Sequence, residues 1–104
     1  MKPKKFSLNK ISKKIKNKEA WKPEKVEVVN DSVLNAYRFE GEYEWHKHDD
    51  KDEIFIVFKG SMKILTKKGT IHLKEGEGVN MPKGTEFCPV SDKPSIVLMI
   101  EPLG

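Results

Sequence analysis

Two of the chain's three histidines, His46 and His48, are separated by a single residue, and a carboxylate, Glu53, follows five positions after the second. In an extended strand alternate side chains share a face, so His46 and His48 point one way and Trp45 and Lys47 the other. The run Asp49-Asp50-Lys51-Asp52 reads as a solvated turn. If the chain reverses there, Glu53 opens an antiparallel strand beside the imidazoles. Phe55 and Val57 share its face, which makes that face a core or pocket face. Two imidazoles and a carboxylate are costly to bury together unless something offsets their desolvation. A divalent cation does so. Imidazole and carboxylate donors suit Fe, Mn, Ni, Cu or Zn, and three ligands on one side leave coordination positions open. A bare His-x-His is a weak signal. His-x-His followed by Glu53 and then a turn glycine at Gly60 is more specific.

The elements that must hold these residues are short. From Val26 onward, clusters of Val, Ile, Phe and Tyr alternate with turn residues. Strands are expected at 26–29, 33–40, 42–48, 53–59, 61–66, 70–74, 78–81, 85–90 and 95–101. Gly41, Lys59-Gly60, Lys67-Lys68-Gly69, Glu75-Gly76, Pro82-Lys83-Gly84 and Ser91-Asp92-Lys93-Pro94 separate them. So many short strands in one domain predict an all-β sandwich or barrel. Before them, Ile11 and Ile15 stand four apart, and Ser7 or Asn9 can cap a short helix. The reading is a basic N-terminal arm over 1–20 and a barrel domain over 21–104.

Composition narrows the class. Charged residues make up 35% of the chain and apolar residues 37%, a globular balance. No apolar run approaches the roughly 20 residues of a membrane helix. The lysine-rich N-terminus has no apolar stretch of the signal-peptide kind after it. One cysteine, Cys88, excludes an internal disulfide. Cytoplasm is the expected compartment, and no membrane partner is expected. The net charge of +4 divides into +8 over residues 1–25 and −4 over the rest. The lysines are scattered, with no nucleic-acid motif among them, so the arm reads as a solvated terminus and not as a nucleic-acid contact.

Gly41…His46-Lys47-His48…Glu53…Gly60 resembles the first sequence motif of the cupins. Gly76-Glu77-Gly78-Val79-Asn80-Met81-Pro82-Lys83-Gly84 resembles the start of their second. The likeness runs from about residue 20 to 101 and is similar to small single-domain cupins labelled mannose-6-phosphate isomerase-like. It implies a double-stranded β-helix, the cupin jelly-roll barrel. It also implies a metal held by three histidines and a glutamate, three of them matched here by His46, His48 and Glu53. The fourth falls where this chain has Phe87, which cannot coordinate. Three outcomes stay open: a three-ligand site with an extra open position, a weak site empty in practice, or compensation by Cys88 through a local bulge.

The remaining candidates have plainer readings. His72 lies between Ile71 and Leu73 and is expected to face solvent. Phe55, Val57, Met62, Met81 and Phe87 are expected to line the pocket. Trp21 is expected to tether the arm to the body. Lys83 and Glu86 would flank the mouth. Two functions follow from the resemblance. One is a small enzyme using Fe, Mn, Ni or Zn on a small-molecule ligand, dioxygenase- or isomerase-like. The other is a non-catalytic binding or structural cupin with a degenerate site. A homodimer is expected in both cases, because a barrel this small leaves sheet edges and an outer apolar face to cover.

Overall fold

The computed structural model describes residues 2–104. Its one helix, α1 (Leu8–Ile15), begins at Ser7, whose hydroxyl accepts the Lys10 N–H at 3.2 Å. Lys13 and Lys14 sit in its last turn, where the helix dipole favours cations. Leu8, Ile11 and Ile15 fall on one helical stripe. That stripe packs on Ala36, Leu34, Ile96 and Leu98. Ile15 is buried, which contributes about 2 kcal/mol relative to exposure. Arg38 then fixes the helix exit, donating to the Lys16 carbonyl at 3.0 Å.

Seven strands follow: β1 (Glu24–Val29), β2 (Ser32–Glu42), β3 (Glu53–Lys59), β4 (Ser61–Thr66), β5 (Gly69–Lys74), β6 (Gly78–Met81) and β7 (Phe87–Pro102). All pairings among them are antiparallel. One layer runs β1-β2-β7-β3-β6, and β4 joins β5 to β7 in the other. The jelly-roll class expected from the sequence is the class observed.

The 16-residue β7 belongs to both layers. Phe87–Val90 pairs with β4, and Ser95–Pro102 pairs with β2. Its corner is braced by Ser91, whose hydroxyl lies 2.8 Å from that of Ser95. The sequence reading split this strand in two at Ser91–Pro94. The turn residues there bulge out of the β2 ladder, which pairs Ser91 with Gly41 and resumes at Ser95 opposite Phe39 after a register shift.

The expected strand at 42–48 is also corrected. β2 continues through Gly41 to Glu42, with a register shift between Phe39 and Gly41. Beyond it, only His46 returns to the ladder, as an isolated bridge to Phe87. Gly41 has φ 86°, a left-handed conformation that turns the chain out of the sheet.

Alternation places the core. Glu53, Phe55 and Val57 of β3 face inward and are buried. With Phe39, Met62, Ile64, Leu73, Met81, Phe87, Val97 and Met99 they form the barrel interior. Gly78 lies where this packing is closest: a Cβ there would stand 2.6 Å from the Phe55 carbonyl oxygen.

Candidate metal centre

Backbone contacts from the strand and turn opposite set the two histidines. His46 N–H donates to the Phe87 carbonyl, and Phe87 N–H donates to the His46 carbonyl, each at 3.0 Å. The His48 carbonyl accepts Gly84 N–H at 2.7 Å. One step along, the Asp52 carboxylate accepts Lys83 N–H at 2.8 Å. The Pro82-Lys83-Gly84 turn therefore clamps the whole loop from His48 to Asp52. Asp52 is an anchor and not merely a solvated turn acid. Glu53 enters as the first residue of β3, paired with Met81.

The outcome is the cluster that the spacing implied. One donor atom from each of His46, His48 and Glu53 lies within 4.8 Å of the other two. His46 Nδ1 lies 3.0 Å from the Glu44 carbonyl oxygen. That oxygen can only accept, so Nδ1 carries the proton and Nε2 is left with its lone pair. His48 Nε2 stands 3.3 Å from Glu53 Oε1.

This last contact is not an ion pair at neutral pH. Burial, with Lys51 and His46 adding, lowers the His48 pKa. Burial, with the neighbouring Glu101 carboxylate adding, pushes Glu53 up to about 7. Two imidazoles, that of His48 held toward its neutral form, and a carboxyl that gives up its proton near neutrality are a donor set suited to a borderline divalent cation.

Phe87 fills the place of the fourth ligand implied by the resemblance. It is buried, its ring centroid is 4.5 Å from that of His46, and it meets Phe55 edge-on at 5.8 Å. Cys88 is buried beside it, but its thiol lies outside the donor group and contacts the Pro89 carbonyl at 3.8 Å. Burial, with Glu42 adding, raises that thiol's pKa. His72 is exposed, paired with Lys63 across β4 and β5. Trp45 is exposed and lies under Lys67.

The cluster opens into a cavity of about 420 Å³. Of the five side chains expected to line it, Phe55 does. Val57, Met62, Met81 and Phe87 instead belong to the packed interior. Sequence reasoning missed most of the wall: Trp21, Tyr37, Phe39, Tyr43, Met99 and Glu101. Trp21 does more than tether the arm. It stacks on Phe39 at 4.3 Å, and its indole N–H donates to the Glu40 carbonyl. The signal for Glu101 was available, since Val97, Met99 and Glu101 continue one alternating face of β7.

The family model of the cupin domain matches residues 38–101, which include the whole donor cluster. The chain belongs to the cupin family. A cupin-2 domain protein from Shewanella frigidimarina NCIMB 400 superposes with a TM-score of 0.89 at 32% identity, over 93% of each chain. Hydroquinone 1,2-dioxygenase PnpCD, solved with Cd2+ and 4-hydroxybenzonitrile, has a TM-score of 0.72 at 20% identity. That match covers 85% of this cupin and 68% of that chain, and at this identity it speaks for the fold alone. The uncharacterized protein YdbB of Bacillus subtilis strain 168 is 47% identical over 58 residues, covering 55% of this cupin. This cupin spans about half the length of that curated relative, 51%.

Proposed function

We propose that this cupin binds a divalent transition metal, Fe, Mn, Ni or Zn, through His46, His48 and Glu53, and takes a small molecule in the adjoining cavity. The carrying observation is the mutual approach of the three donor atoms within 4.8 Å. A bound metal would act as a Lewis acid or electron conduit toward an oxygen-donor ligand, in dioxygenase- or isomerase-type chemistry. The protein's own part is to supply a half-enclosed cavity with aromatic side walls and a carboxylate beside the ligands.

The test is elemental analysis of protein purified without a histidine tag, alongside His46→Ala and His48→Ala. Near-stoichiometric metal, lost in both variants, supports the proposal. Protein that stays empty after loading with each of the four metals refutes it.

Phe87 favours a second reading, a non-catalytic binding or structural cupin, because it contributes no ligand and packs against His46. Metal retention without turnover across oxygenase and isomerase screens would support that reading. Two further proposals are consistent with both. A homodimer is supported by exposed Ile100 and Leu103 near the end of β7, with exposed Val29 on β1. A single-chain mass in light scattering would exclude it. A reducing compartment such as the cytoplasm suits a lone buried thiol.

A further inference from the structure

Glu101 is a second carboxylate at the site, beside Glu53 and outside the donor group. Ile54 pairs with Ile100, so the next register step places Glu53 and Glu101 side by side on β3 and β7. Its position is imposed from a third strand. Asn35 Nδ2 donates to Glu101 Oε2 at 2.8 Å, and the Tyr37 hydroxyl donates to the same oxygen at 2.5 Å. Asn35 and Tyr37 are alternate residues of β2 and so share its inner face. Two side-chain donors converging on one half-buried carboxylate oxygen hold it as a fixed acceptor at the cavity wall. Such bracing is more than core packing requires at the end of a strand.

The rest of the cavity is asymmetric. Trp21, Phe39 and Tyr43 make an aromatic side, with Trp21 and Tyr43 centroids 4.9 Å apart. Lys47 and Lys51 also line it. Lys47 has a partner in Asp49 at 3.4 Å. An aromatic wall suits the face of a ring, and a fixed carboxylate oxygen suits a hydroxyl hydrogen. A ligand carboxylate placed there meets an acceptor and a like charge.

We propose that Glu101, braced by Asn35 and Tyr37, determines specificity at this site: it admits a ring that offers it a hydroxyl hydrogen in preference to one that offers a carboxylate. The proposal rests on the cavity being the small-molecule site, but not on the metal, because every group it uses belongs to the protein.

Isothermal titration with catechol and with benzoate tests it, on metal-free and on Zn(II)-loaded wild type, Glu101→Gln and Tyr37→Phe. The Gln carbonyl can still accept from Asn35 and Tyr37, but the second acceptor oxygen and the charge are gone. Wild type should bind catechol about tenfold or more tighter than benzoate, the size of one hydrogen bond to a charged group. Glu101→Gln should bring the ratio near unity with the thermal midpoint little changed. Tyr37→Phe should lower it severalfold, and it serves alone if Glu101→Gln does not fold. Equal or tighter benzoate binding to wild type, no binding of either probe, or an unchanged ratio in the folded variants overturns the proposal. Selectivity that persists in protein unable to hold Zn(II) supports it while refuting the metal site.

Discussion

His46 and Phe87 face each other across a single antiparallel bridge, joined by two backbone hydrogen bonds of 3.0 Å, with ring centroids 4.5 Å apart. A side chain at position 87 is therefore directed at the donor cluster whatever its chemistry. Phe87→His should raise Zn(II) affinity about tenfold or more in competition with a fluorescent chelator, by adding a fourth imidazole or carboxylate donor. The metal-free variant should melt lower, because the swap gives up about 2–4 kcal/mol of aromatic packing and leaves an imidazole in an apolar place. Added metal should recover that loss. Unchanged affinity would mean that the bridge does not aim residue 87 at the ion.

Glu53 gives the metal-free protein a definite pH dependence. Its folded pKa, about 7, lies above the ordinary carboxyl value of 4.5. The folded state thus holds an extra proton between those values. The stabilising contribution is complete below pH 4.5, declines as pH rises toward 7 and is lost above it. Thermal midpoints of metal-free wild type, relative to Glu53→Gln, should fall between pH 5 and pH 8. Metal binding should weaken below pH 7, since proton and cation compete for the same carboxylate. A flat difference between wild type and variant would show that Glu53 is not held in this way.

Cys88 supplies the control for the cluster. Cys88→Ser should leave Zn(II) affinity within about twofold, because the thiol lies outside the donor group. It should still cost about 1–3 kcal/mol in urea titrations, the penalty of a hydroxyl in a buried apolar place. Folded protein should react slowly with thiol reagents at neutral pH, given the raised pKa and full burial. A large loss of metal affinity in Cys88→Ser would restore this residue as a ligand.

The helix predicts a stability effect remote from the site. Ile15→Ala should cost about 2–4 kcal/mol in urea unfolding, because the side chain is buried between α1 and the outer face of β2 and β7. A cost below about 0.5 kcal/mol, typical of a surface position, would mean that the arm is not docked.

The donor cluster was legible because each of its determinants is local. His-x-His fixes a shared face, and a short turn returns Glu53 to it. Punctuation by Gly and Asx-rich turns gave most of the strands and an all-β sandwich or barrel. The resemblance to the cupins narrowed that to a jelly roll, while the order of strands in the sheet came only from the structure. Trp21, Tyr37 and Glu101 were not found as cavity residues, for one physical reason: each reaches the cavity from an element distant in sequence, so its contacts depend on register between strands. The segment after Glu42 misled because its alternation is that of a strand while only His46 in it makes a bridge. The corner of β7 misled in the opposite sense, since Asp92, Lys93 and Pro94 carry turn chemistry yet form only a bulge within one strand.

That continuous strand bears on how the molecule comes apart. Phe87 begins β7 and Glu101 stands one residue from its end, so both lie on a strand that neither layer can release without the other. The amides of β4 and those of β3 should therefore exchange with solvent in a single cooperative event. Loosening at the Ser91 corner would disturb both walls of the cavity at once.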